Sequence, residues 1–142
     1  MTQGREQHVV ICVDDEPEVL AALRRVFRQE PFHLLTTGQP HEALHWVGTR
    51  EISLIISDHR MPAMEGAQLL EAVWRRSPST TRVMLTSYPE SVLAAPREKQ
   101  SIDFLVSKPW DSGMLRRAVR DMLFERNLED YATAMPERSD DP

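Results

Sequence analysis

Short apolar runs alternate along this chain with longer stretches whose apolar residues recur at helical spacing. The first run, Val9 to Val13 (VVICV), stops at the pair Asp14-Asp15. From Glu16 to Glu30, Val19, Leu20, Leu23, Val26 and Phe27 trace one face of a helix, with Pro17 at a tolerated first-turn position. Phe32 to Thr37 predicts a second strand, and Pro40 to Val47 a short helix with Ala43, Leu44 and Val47 on one face. Ile52 to Ser57 predicts a third strand, followed by a helix from Met64 to Arg76 carrying Leu69, Leu70, Val73 and Trp74. Thr81 to Ser87 predicts a fourth strand, and "PESVLAA" a short helix cut by Pro96. Ile102 to Ser107 is the fifth strand, and Asp111 to Tyr131 the last helix, capped by Asp111 or Ser112. Strands this apolar have no solvent face. With helices between them they predict an α/β fold, a parallel sheet covered on both sides.

In open sheets of this kind, sites form beyond the carboxyl ends of the strands. Asp14 and Asp15 stand at the exit of the first strand, Asp58 at the third, Thr86 and Ser87 at the fourth, and Lys108 at the fifth. The second strand exits at Thr37 and Gly38, which add no clear chemistry.

Composition narrows the class. At 142 residues, with 41% hydrophobic and 27% charged, the chain suits one packed domain. The single cysteine, Cys12, forbids an internal disulfide and suits a reducing cytoplasm. No apolar run approaches the ~20 residues needed to cross a bilayer, and the start carries no apolar signal core. A formal charge of −5 disfavours general nucleic-acid binding. The expectation is a cytoplasmic protein with no direct nucleic-acid or membrane partner.

Three carboxylates in one cleft repel each other and call for a counter-charge, naturally a hard divalent cation with oxygen ligands. Carboxylate, Mg²⁺ (or Mn²⁺), lysine and hydroxyl together make a phosphoryl-transfer site in which one carboxylate is the nucleophile. Asp58, alone at the end of the central strand, is the best nucleophile; Asp14 and Asp15 are better placed to hold metal. Taken singly, adjacent acids after a strand are ordinarily a solvated turn, and a lysine before proline an ordinary surface residue. Their joint arrival at four strand exits is what points to function.

The same residues resemble the receiver domain of two-component response regulators. "VDDEP" is similar to that family's acidic pair, "SDHRMPAMEG" to its phosphoacceptor turn, "MLTSY" to its switch hydroxyl and "SKPW" to its lysine-proline, with intervals of 43, 28 and 22 residues from Asp15 through Asp58 and Thr86 to Lys108. The resemblance covers about Val9 to Arg126. It implies a CheY-like, doubly wound (βα)5 flavodoxin-like fold with a central five-stranded parallel sheet in the order 2-1-3-4-5. It implies that Asp58 accepts a phosphoryl group from a sensor histidine kinase or phosphotransfer protein, and that the domain then switches partner binding or self-association. Asp15, Asp58 and the backbone carbonyl of Arg60 would hold Mg²⁺ directly, with Asp14 acting through water. Lys108 would contact the phosphoryl oxygens, and Thr86 would move in to bond them. The Lys108-Pro109 peptide would be cis. By the same likeness the domain is no enzyme beyond its own phosphoryl transfer and slow autodephosphorylation. The "RMP" and "KPWD" forms look like receivers attached to cyclic-dinucleotide phosphodiesterase or transcription-activator modules.

The sequence departs from the family in places. Leu105 stands where an aromatic switch residue is common, and Phe104, one earlier, faces the other side by strand alternation. Ser87 follows Thr86 where alanine or glycine is usual. His59 and Arg60 flank the reactive carboxylate and are expected to modulate its phosphate lifetime. Two other readings stand beside the receiver: a phosphorylation-independent adaptor, and an aspartyl-phosphate phosphohydrolase, which would usually carry an acid where Arg60 stands.

Away from the site, His41 and His45 lie four apart on a helix with no third metal ligand, which favours a surface pair. Cys12, Trp46 and Trp74 read as packing residues. Trp110 falls in the face that this family uses for output or dimerisation (fourth helix, fifth strand, last helix). Leu115, Val119 and Met122 would pack on the sheet, while Phe124 and Leu128 fall off that stripe. The expected organisation is a flexible tail over 1–7, the receiver over 8–126, and a helical extension with a disordered tail over 127–142.

Overall fold

A computed structural model of the chain describes residues 7–124. Five strands, β1 (Val9–Val13), β2 (His33–Thr37), β3 (Leu54–Asp58), β4 (Thr81–Thr86) and β5 (Phe104–Ser107), alternate with six helices. The helices are α1 (Pro17–Val26), α2 (Pro40–Thr49), α3 (Gly66–Arg76), α4 (Pro89–Leu93), α5 (Pro96–Gln100) and α6 (Ser112–Leu123). All strand pairs are parallel, in the order β2-β1-β3-β4-β5. The expected doubly wound, flavodoxin-like fold is therefore present.

Side-chain alternation along the strands builds two cores, one on each face of the sheet. Val10, Cys12, Leu54, Ile56, Val83 and Leu85 meet Leu20, Leu23 and Val26 of α1 and Leu115, Val119 and Leu123 of α6. On the opposite face Ile11, Val13, Ile55 and Met84 meet Ala43, Leu44 and Val47 of α2, Leu69, Leu70 and Val73 of α3, and Val92 of α4. β3 is central and buried along its whole length, Asp58 included. Its pairing, with Ile55 beside Ile11 on one side and Arg82 on the other, fixes where Asp58 emerges.

Several elements differ from the sequence expectation. Phe32, Ile52 and Ile102 precede their strands instead of belonging to them. Phe32 and Ile52 are nonetheless buried, Phe32 tilted against Phe27 at 5.5 Å, so their apolar character reflects core packing of the lead-in rather than ladder pairing. Pro96 does end the helix before it, but it also starts another. Ala95 is extended, as a residue before proline prefers, and the missing N–H of Pro96 costs nothing in a first turn. Trp74 is 51% exposed, not packed; the Arg82 guanidinium lies 6.0 Å from its ring centroid. Phe124 does pack, joining the α1–α6 core and meeting the His8 ring edge-on at 5.1 Å. Asp111 is the cap of α6, its carboxylate accepting from the Met114 N–H at 2.9 Å. The last helix is described to Leu123, and the expectations for Leu128, the residue 127–142 extension and residues 1–6 of the N-terminal tail lie outside the described residues.

Candidate functional site

The carboxyl edge of the sheet gathers its chemistry from four strand ends. Asp14 follows β1 directly, and its N–H donates to the Thr37 carbonyl at 3.2 Å, so the ladder still holds it. The Asp14 side chain is fully buried, with one oxygen accepting from the Glu16 N–H at 2.9 Å. Asp15 is exposed at the rim of the site. Asp58 is the last residue of β3 and is 8% exposed. Lys108 follows β5; its N–H donates to the Thr86 carbonyl at 2.7 Å, and its peptide to Pro109 is cis, as expected. That backbone placement aims the lysine Nζ inward, 2.8 Å from Asp58 Oδ1 and 3.5 Å from Asp14 Oδ2.

The electrostatics follow from this crowding. Burial, reinforced by the Asp58 charge, lifts the Asp14 carboxyl to about 6, although the Glu16 N–H and Lys108 pull the other way. Burial opposes the Lys108 charge, but its hydrogen bond to Asp58 and the pull of both carboxylates outweigh this and hold its pKa above the ordinary lysine value. One ammonium does not balance three acids. The nearest ligand atoms of Asp14, Asp15 and Asp58 lie within 4.8 Å of one another. An all-oxygen donor set of that span, with one carboxylate at the solvent edge, fits a hard divalent cation such as Mg²⁺.

α3 closes against the site through Gly66. A Cβ there would collide with the Asp58 carbonyl oxygen and lie 3.1 Å from that of His59, while the Gly66 N–H donates to the His59 carbonyl at 2.8 Å. With no side chain, Gly66 lets the helix start touch the backbone that carries Asp58.

Thr86, the last residue of β4, is fully buried. Its hydroxyl is engaged by residues other than the acids. It accepts from the Tyr88 N–H at 2.8 Å and pairs with Nδ1 of His59 at 2.7 Å. His59 is 2% exposed, and its Nε2 lies 3.6 Å from the Glu98 carboxylate on α5. Neither partnership was readable in sequence, because β3, β4 and α5 are far apart along the chain. A histidine directly after a buried strand was the only available signal. Arg60 and Ser87 are exposed. Leu105 and Phe104 pack against opposite cores, as strand alternation predicts, and Trp110 is half-buried against the α6 side. His41 and His45 are exposed and belong to no three-residue ligand cluster among the described residues. Cys12 is buried, its thiol pushed up to about 12 chiefly by burial.

A parallel sheet of order 2-1-3-4-5 with acids, lysine and hydroxyl at its carboxyl edge is the arrangement of a signalling receiver domain. The chain belongs to the response regulator receiver domain family, whose match covers residues 10–120. It is 31% identical over 126 residues to the hydrogenase transcriptional regulatory protein HoxA of Cupriavidus necator, covering 87% of this chain and 26% of that one. To the transcriptional regulatory protein GlrR of Escherichia coli it is 29% identical, covering 91% of this chain and 28% of that one. The chain thus spans about a quarter of the length of these curated relatives. Among solved structures, the signal receiver domain of an HD domain-containing protein from Pseudomonas fluorescens superposes with a TM-score of 0.75 at 32% identity, covering 83% of this chain and 95% of that one. A CheY-like receiver from Methanospirillum hungatei, at 23% identity and a TM-score of 0.74 over 87% of this chain and 99% of that one, shares the fold. Among the described residues no helix is long and apolar enough to cross a membrane.

Proposed function

We propose that Asp58 is the phosphoacceptor of a two-component signalling pathway. The observation that carries this is the 2.8 Å contact between Lys108 Nζ and Asp58 Oδ1, beside a three-carboxylate cluster of divalent-cation dimensions. An Asp58 oxygen attacks the phosphorus of a phosphohistidine on a histidine kinase or phosphotransfer protein. The new O–P bond forms as the P–N bond breaks, and the imidazole leaves with its electron pair. Lys108, already paired to Asp58, screens the negative charge that gathers on the phosphoryl oxygens. Asp15, Asp58 and the Arg60 carbonyl would hold Mg²⁺ or Mn²⁺, with Asp14 behind them. The ion would supply charge neutralisation that one lysine cannot. Thr86 would offer its hydroxyl to the phosphoryl group, and Arg60 and Ser87, both at the exposed rim, would tune how long that group persists. Output would pass through the face of α4, α5, β5 and α6, where Phe104, Leu105 and Trp110 lie, to a partner or a second copy in the cytoplasm.

Incubation with phosphoramidate and Mg²⁺ should add one phosphoryl mass to the intact protein and none to Asp58→Asn. Equal uptake by the variant would remove Asp58 from this role.

A further inference from the structure

Thr86 has one hydroxyl proton, and its heavy-atom contacts restrict where that proton can go. The hydroxyl oxygen accepts from the Tyr88 N–H, so its remaining contact, to His59 Nδ1 at 2.7 Å, is where its own proton can be donated. A neutral imidazole carries one N–H and one acceptor nitrogen. His59 Nε2 is buried without a hydrogen-bond partner and faces the Glu98 carboxylate at 3.6 Å. A lone pair aimed at a carboxylate would be repelled, whereas an N–H aimed there is attracted. The proton therefore belongs on Nε2, and Nδ1 accepts from Thr86. Tyr88, Thr86 and His59 form one directional hydrogen-bonded chain at the strand end beside Asp58, and the Glu98 carboxylate of α5 faces its far nitrogen at 3.6 Å.

We infer that His59 is a positioning residue that holds the Thr86 hydroxyl away from Asp58 and competes with the phosphoryl group for its proton. This rests on Asp58 being the phosphoacceptor. When Asp58 is loaded, Thr86 breaks its bond to His59 in order to donate to a phosphoryl oxygen. The imidazole then loses its anchor on the β4 side, and the Nε2–Glu98 contact loosens with it. Phosphorylation is thereby communicated to α5 through a buried histidine, on the side of the sheet to which β5 contributes Leu105.

Beryllium fluoride with Mg²⁺ serves as the phosphoryl mimic. Removing one competing buried hydrogen bond should strengthen its binding about fivefold in His59→Leu. In a Thr86→Ala background the same substitution should change nothing, since the competition requires the hydroxyl. Unchanged affinity in His59→Leu, or an equal gain in the Thr86→Ala background, overturns the inference while leaving Asp58 as acceptor. Absence of beryllium fluoride binding to the wild type, together with no phosphoryl uptake at Asp58, overturns both. The wild type gives an answer even if His59→Leu fails to fold. Imidazole ¹⁵N shifts should show Nε2 protonated and Nδ1 accepting, and the Nδ1 shift should move when beryllium fluoride is added. A protonated Nδ1 at the outset, or a shift that stays put, contradicts the inference.

Discussion

At the scale of single residues, the site is defined by which carboxylates are buried and which are not. Asp14 is fully enclosed beside Asp58, and its carboxyl is lifted to about 6 from an ordinary 3.8. The folded protein therefore keeps this proton to higher pH than the unfolded chain does. The resulting penalty is absent below the unfolded value, grows as pH rises from about 4, and is complete above about 6. In metal-free buffer, Asp14→Asn should be the more stable form at pH 7, by on the order of 2 kcal/mol. Its advantage should shrink toward pH 4, as followed by urea unfolding at each pH. An advantage independent of pH would show that Asp14 carries no such strain. The acids, Thr86 and Lys108 were legible in sequence because strand exits are legible. The bond from His59 to Thr86 was not, since nothing along the chain shows that a side chain after β3 turns toward the end of β4.

At the scale of elements, the site depends on how closely helices approach strand ends. α3 can begin beside β3 only because Gly66 has no side chain to meet the Asp58 and His59 carbonyls. Gly66→Ala should destabilise the fold by about 2–4 kcal/mol, because the obstacle is backbone and not a flexible side chain. It should also slow Asp58 loading, since the carbonyl it displaces belongs to the acceptor itself. Thermal melting and phosphoramidate uptake measure the two effects; a variant normal in both would mean the helix start yields freely. α5 teaches a different lesson. Pro96 reads as a terminator because its ring forbids helix continuation, yet the same ring is harmless in a first turn. Glu98, the far end of the His59 chain, sits on the helix that this reading left out.

At the scale of the whole molecule, three acids and one lysine at the sheet edge leave charge that a bound divalent cation would relieve. Mg²⁺ at ten times its dissociation constant should stabilise the fold by about 1.4 kcal/mol. That corresponds to a rise in Tm of roughly 3–6 °C for a domain of this size. Asp15→Asn should blunt the rise at the same Mg²⁺ concentration, and a full response in that variant would take Asp15 out of the ligand set. The two-sided parallel sheet follows from the sequence alone, because unbroken apolar strands alternating with amphipathic helices have no other way to bury both faces. Which residues stand at the strand exits follows too, since a strand ends where its apolar run does. Trp74 and Phe124 mark the limit of that reading. Trp74 lies on α3 and Phe124 directly follows α6, and packing left the first largely in water and drew the second against the core. Tertiary structure alone brought Lys108 to 2.8 Å from Asp58 and turned the Thr86 hydroxyl toward His59. Those contacts join positions 50 and 27 residues apart, and their geometry is set by strand register and helix packing rather than by any local pattern.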